Sequence, residues 1–248
     1  MIIDSIFVLR LTKLWQILFY PRLRRALLKH GVMGGVEHKP VLNRPLATVI
    51  DIGANRGQFA LAARAITPAK IFSFEPLPGP AKTFASIFDR DDRVVLHKVA
   101  VGPSEGQCQM HISSRDDSSS ILPITGLQTI LFPGTDECST IDVQIGPLDN
   151  FLNSDAIISP AILKLDVQGY EYEALCGCES LLDNITYIYC ECSFVELYLG
   201  QKLASDVIEW LSARGFHLSG IYNLAVDKQK QPIQADFLFH RPKIGLAL

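Results

Sequence analysis

The sequence predicts an α/β protein built on a doubly wound, mostly parallel sheet with an antiparallel last strand. Three observations carry that expectation. From Leu46 onward, runs rich in Val, Ile, Phe and Tyr alternate with amphipathic runs, the rhythm that strand–helix–strand units impose. The first of these strands leads into a glycine-bearing turn, GANRG at residues 53–57. The chain's 248 residues, 48% apolar and 20% charged, suffice for one large domain with a sizeable core.

Taken in order, the N-terminal segment places Leu11, Leu14, Trp15 and Leu18 at i, i+3, i+4 and i+7, with Arg10, Lys13 and Gln16 on another face. That spacing predicts an amphipathic helix. Pro21 then opens a second, basic helical segment, PRLRRALLKHG. Residues 1–30 hold six Lys and Arg against Asp4 alone, which suits peripheral contact with a membrane surface. The competing expectation is a helix packed on the domain or on a second copy of the chain, a homo-oligomer. GGVEHKP and LNRP read as a loop, so residues 1–45 form a helical extension and residues 46–243 the main domain.

Within that domain ATVIDIG, KIFSFEP, RVVLHKVAVG, AILKLDVQG, TYIYCECS, FHLSGIYNL and ADFLFHR read as strands. GQFALAARAI, GPAKTFASIF, YEYEALCGCESLL and LASDVIEWLSARG read as the helices between them. Residues 104–150 interrupt the alternation. There GQCQMHIS and STIDVQIG read as a β-hairpin around a Ser/Asp/Gly-rich loop, an insertion suited to acceptor recognition.

Composition sets further bounds. A net charge of −3 and a pI near 6.1 lack the basic footprint of a general nucleic-acid binder. Two Cys-x-Cys pairs occur, at Cys176/Cys178 and Cys190/Cys192, without a Cys-x2-Cys ribbon pattern, so the six cysteines read as buried apolar side chains rather than zinc ligands. The first residues are acidic, and Arg10 and Lys13 interrupt the apolar run, which argues against a secretory signal or a spanning helix and predicts a cytoplasmic chain.

The turn after the first strand carries the chemistry. Gly53 and Gly57 allow a ligand close to the backbone, Asp51 ends the strand with a carboxylate, and Glu75 ends the second strand where it can accept hydrogen bonds from vicinal ribose hydroxyls. The pattern is D-x-G-x-N-x-G, without the glycines that cradle a pyrophosphate. S-adenosylmethionine has no pyrophosphate, and its ammonium and sulfonium suit an acidic strand end. An NAD-dependent oxidoreductase lacks its fingerprint here, and there is no Gly-Lys-Ser/Thr of a P-loop.

VIDIGANRGQF, FSFEPLP, KVAVG followed by SSS, PLDNFL, LKLDVQGYE and IYNLAVDKQKQPIQADFLF together resemble the FkbM-type methyltransferases, S-adenosylmethionine-dependent enzymes of the class I, Rossmann-like fold. The likeness runs from Ala47 to Arg241. It implies methyl transfer to a hydroxyl of a sugar, glycan or polyketide-like product. By matching motif it implies that Asp51, Gly53, Asn55, Gly57 and Gln58 surround the methionine part of the cofactor, that Glu75 holds its ribose, and that Ala100 and Val101 line its adenine. Gln168 stands where the family usually has Glu. That departure is the sequence's only hint of a third reading, a non-catalytic scaffold with a vestigial fold.

Methyl transfer to an alcohol needs the oxygen placed near the methyl and its proton accepted. The candidates at strand ends are Asp166, Glu191 and Asp236, with Asp166 first because LKLDVQGYE ends a buried strand in an acid and turns at once into a helix. A divalent cation would accept the same oxygen ligands, but no spacing requires one. Glu171 suits a helix start, and Lys164 suits pairing with a neighbouring carboxylate. In the insertion, His111, Arg115 and Ser119 are the substrate-binding candidates, Arg115 for an acidic sugar.

Overall fold

The computed structural model describes residues 20–242, so the amphipathic run through Leu18 lies outside the described residues. Helix α1 (Pro21–His30) starts on its proline and ends at Gly31 in the left-handed region, burying Leu23 and Ala26. The segment expected to be a loop is instead a 3-10 turn, Val36–His38, followed by the short helix α2 (Lys39–Leu42). It folds because Val36, Val41 and Leu42 are buried, the last two completely. Val32, Val36, Val41, Leu42 and Leu46 are therefore part of the domain's core.

The elements that follow are β1 (Thr48–Ile52), α3 (Gln58–Ile66), β2 (Lys70–Phe74), α4 (Pro78–Ile87), β3 (Val94–His97), β4 (Ala100–Val101) and β5 (Gly106–Ser113). After them come α5 (Gly126–Leu131), β6 (Glu137–Gly146), β7 (Ala161–Leu165), α6 (Glu171–Cys176), β8 (Tyr187–Ser193), α7 (Ala204–Ser212), β9 (His217–Val226) and β10 (Pro232–His240). Seven strands form the main sheet in the order β3-β2-β1-β7-β8-β10-β9. β3, β2, β1, β7 and β8 run parallel, and β10 runs antiparallel between β8 and β9. The last strand in sequence is thus antiparallel as expected, yet it lies inside the sheet and β9 forms the edge.

Two sequence expectations are corrected. RVVLHKVAVG is not one strand: β3 pairs with β2, whereas Ala100 and Val101 leave the main sheet and pair with β6. The insertion supplies the edge that captures them, since β5 and β6 form the expected hairpin and β4 joins it as a third strand. YEYEALCGCESLL is likewise not one helix. α6 stops at Gly177, where a Cβ would lie 2.4 Å from the Gly102 carbonyl oxygen, and a 3-10 segment, Glu179–Asn184, continues.

The central parallel strands β2, β1, β7 and β8 are buried on both faces, as a parallel sheet requires. Ile50, Ile52, Leu163, Leu165, Ile188 and Cys190 pack under α6 and α7 on one face. Val49, Ile71, Ile162, Tyr189 and Leu238 pack on the other, against α1, α3 and α4. Strand alternation assigns Asp51, Lys164, Tyr189, Glu191 and Asp236 to that second face, and the register sets Asp51 beside Lys164, Lys164 beside Tyr189, and Glu191 beside Asp236. One row of polar groups therefore crosses an otherwise apolar layer.

Candidate active site

The sheet order reverses between β1 and β7, whose last residues, Ile52 and Leu165, are register partners. Ligands of open α/β sheets bind in the crevice beyond such a switch point. Here it opens into a cavity of about 370 Å³, within the range of small-molecule sites. Its walls come from the turn after β1, the end of β2, β4, the insertion, the turn after β7 and the Glu37–His38 segment.

The turn after β1 is close to the turn after β7. Gly53 has φ +77°, and a Cβ there would lie 1.9 Å from the Asp166 carbonyl oxygen, so only glycine lets the two strand ends meet. Asn55 also has positive φ, which directs its amide N–H to Glu75 Oε2 at 2.8 Å, while the Leu77 N–H donates to Glu75 Oε1 at 2.7 Å. Glu75 is thereby fixed on the cavity wall. Burial pushes its carboxyl up to about 7, against the pull of the Leu77 and Asn55 amides.

Asp51 does not line the cavity. It is fully buried behind the wall, 3.1 Å from Lys164 Nζ, which in turn donates to the Gly53 carbonyl at 2.9 Å and lies 3.6 Å from Asp166. Burial acts against the Lys164 ammonium, but Asp51 and Asp166 outweigh it and its pKa is raised, while burial, opposed by Lys164, raises that of Asp51. Gly57 is also outside the lining. It starts α3 at φ +95°, where a Cβ would strike Phe88 at 2.8 Å. Gly53, Asn55, Gln58, Glu75, Ala100 and Val101 all line the cavity.

Among the three carboxylates expected to act as base, only Asp166 lines the cavity. Gln168, in the left-handed region at φ +56°, donates through Nε2 to Asp166 Oδ1 at 2.8 Å and to Glu191 Oε2 at 3.0 Å. Its Oε1 accepts from the Tyr198 hydroxyl at 2.9 Å. Glu191, which also accepts from Gln234 at 2.8 Å, stands behind that amide. Burial, then Asp166 and Asp236, push its carboxyl well above the usual range. Glu171, the first residue of α6, accepts from the Val167 and Gly169 amides at 2.8 and 2.9 Å and so ties down the turn after β7 rather than capping the helix. Asp236 is elsewhere, accepting from Tyr189 Oη and Asn223 Nδ2, each at 2.7 Å.

In the insertion, Arg115 and Ser119 line the cavity and His111 does not. His111 turns along β5 to Glu137 at 3.0 Å. Arg115 lies 3.0 Å from Asp117, and the Ser119 hydroxyl accepts from the Ser113 amide at 3.1 Å. Sequence reasoning missed Glu37, His38, Gln128 and Tyr170, all on the wall. Glu37 and His38 sit in a stretch read as a loop, and no spacing links them to a strand that His38 meets 151 residues later.

The donor set fits S-adenosylmethionine. Gln58 Oε1 is buried on the cavity wall and has no hydrogen-bond partner among the described residues, an acceptor suited to an ammonium. Glu75 has lone pairs left for ribose hydroxyls beside its two amides, and Ala100, Val101, Leu77 and Met110 form an apolar wall for a base. Among the described residues no group of three or more His, Cys, Asp or Glu is placed to hold a metal ion.

A family model described as the methyltransferase FkbM domain matches residues 51–218. The chain is 29% identical over 183 residues to the 2-O-methyltransferase NoeI of Sinorhizobium fredii, covering 69% of this chain and 73% of that protein. It is 26% identical over 166 residues to the hexuronic acid methyltransferase AglP of Haloferax volcanii, covering 65% of this chain and 60% of AglP. Among solved structures, Sp1610 of Streptococcus pneumoniae with S-adenosyl-L-methionine aligns at a TM-score of 0.49 and 11% identity, over 87% of this chain and 76% of that one. With a switch-point cavity, the motifs around it and the family model over most of the domain in agreement, the chain belongs to the FkbM methyltransferase family.

Proposed function

We propose that this methyltransferase transfers a methyl group from S-adenosylmethionine to a hydroxyl of a sugar or glycan, with a carboxylate-bearing sugar as the favoured class. The observation that carries the reading is one cavity bounded by Glu75 at the end of β2 and Asp166 at the end of β7, with the polar insertion among its other walls. The names of NoeI and AglP describe a 2-O-methyltransferase and a hexuronic acid methyltransferase, and Arg115 on the wall is the cation an acidic sugar would meet.

When bound, S-adenosylmethionine supplies an electrophilic methyl group. Glu75 accepts from its ribose hydroxyls and Gln58 Oε1 from its ammonium, while Ala100 and Val101 pack the adenine. Asp166 accepts a hydrogen bond from the acceptor hydroxyl and orients its lone pair, a positioning effect. Lys164 and Gln168 hold Asp166 from two sides. Ser119 and Arg115 hold the sugar ring and its carboxylate.

Calorimetric titration with S-adenosylmethionine, S-adenosylhomocysteine and NAD tests the cofactor assignment. Binding of both adenosyl ligands but not NAD is expected, weakened at least tenfold by Glu75→Ala. Mass spectrometry of methyl glucuronoside incubated with enzyme and cofactor, beside the neutral methyl glucoside, tests the acceptor class. Equal turnover of the two would overturn the acidic-sugar assignment.

A further inference from the structure

His38 lines the same cavity as Asp166 and Lys164, yet it comes from the segment before β1, outside the residues that define the family match. Its Nδ1 lies 3.0 Å from the Tyr189 hydroxyl. That hydroxyl donates to Asp236 Oδ2 at 2.7 Å, and Asn223 Nδ2 donates to both, at 3.2 and 2.7 Å. The phenolic proton is committed to Asp236, so the phenolic oxygen can only accept from His38. Nδ1 must then carry the imidazole proton, and Nε2 is left with the lone pair. Nε2 makes no hydrogen bond to any described residue. The ring is clamped edge-on against Phe59, at 5.2 Å between centroids, and against Tyr189, at 5.6 Å.

On the reading of O-methyl transfer given above, we infer that His38 is the catalytic general base, and that Tyr189, Asp236 and Asn223 are positioning residues that fix its tautomer and orientation. The acceptor O–H bond breaks and its proton passes to His38 Nε2. The oxygen lone pair forms the new bond to the methyl carbon, and the electrons of the broken carbon–sulfur bond remain on sulfur. The imidazolium so formed faces Asp236 at 3.9 Å, which stabilises it until the proton leaves to solvent.

The charged groups acting on the ring agree with this role. Burial lowers its pKa from the usual histidine value, partly offset by Asp236, Glu37 and Asp166, while Lys164 adds to the lowering. Burial therefore favours the neutral ring, the form able to accept a proton. Tyr189 stays a neutral phenol, since burial and Asp236 raise its pKa far above the ordinary value. The relay joins the α1–β1 segment to β8, β9 and β10, and uses the polar row that the strand register creates.

The test has an arm that needs no acceptor. Long-range proton–nitrogen NMR of histidine-labelled enzyme should show His38 protonated at Nδ1 and unprotonated at Nε2, with that tautomer preference lost in Tyr189→Phe. A protonated Nε2 in the wild type would overturn the inference. In the kinetic arm, with methyl glucuronoside as acceptor, His38→Gln should lower kcat about 100-fold while calorimetric S-adenosylmethionine binding stays within threefold. Asp236→Asn should lower kcat and move the acid limb of the pH–rate profile to lower pH, because the group that raises the His38 pKa is gone. An unchanged profile, or kcat within threefold of wild type in His38→Gln, would overturn it. Cofactor binding by a wild type that methylates no hydroxyl would instead sink the acceptor reading, and that failure is visible before any variant is made.

Discussion

At the scale of single residues, Glu75 and Gln168 give the sharpest predictions. On the ribose contact proposed above, the Glu75 carboxyl, raised to about 7 by burial, must be ionised to accept from two hydroxyls. S-adenosylmethionine affinity should therefore rise about tenfold between pH 6 and pH 8 as the ionised fraction grows, and calorimetry on Glu75→Gln should show no such rise. Gln168 donates to two carboxylates at once. Gln168→Glu replaces that donor with a third acid beside Asp166 and Glu191, at a cost on the order of 2 kcal/mol. A carboxyl whose folded pKa is raised loses stability as pH rises, so the drop in Tm should be larger at pH 8 than at pH 5.5; an equal drop at both would refute this account. The departure at position 168 is thus an amide joining two acids, legible in the sequence as a difference but not in its purpose.

Elements set the geometry that these residues use. The crevice exists because β1 and β7 are adjacent and parallel, with their following turns in contact through Gly53. Gly53→Ala puts a methyl into the Asp166 carbonyl at a left-handed position. Loss of at least about 3 kcal/mol is expected from denaturant unfolding, through combined clash and backbone strain; a loss below 1 kcal/mol would mean that the two turns can separate. The strands β1, β2, β7 and β8 were readable as apolar runs, and the period of two along β8 places Glu191 opposite Cys190 and Cys192. The departure of Ala100 and Val101 to a second sheet was not readable, because a two-residue strand has no periodicity of its own and depends on which edge is near.

At the scale of the whole molecule, helix α1 divides its side chains between the core and a basic outer surface. α1 buries Leu23 and Ala26 in the domain, and Arg22 pairs with the buried Asp91, while Arg24, Arg25 and Lys29 stay exposed. We propose that this exposed basic surface gives peripheral contact with anionic membranes, as a lipid-linked sugar acceptor would require. Reversing Arg24, Arg25 and Lys29 to Glu should reduce flotation with anionic vesicles at least about tenfold without lowering Tm by more than a few degrees; unchanged flotation would count against it. No helix among the described residues is long and apolar enough to cross a membrane. The sequence by itself determined the α/β alternation, the glycine-bearing turn after β1, and the places of Glu75 and Asp166 at strand ends on the cavity wall, because each is a local signal: a period, a glycine, or an acid at a strand end. Only the tertiary structure decided that Asp51 stands behind the wall, that Glu191 is reached through Gln168, and that His38 meets Tyr189 and Asp236. Those contacts depend on inter-strand register and on segments 151 and 47 residues apart, and such distances leave no periodic trace in the chain.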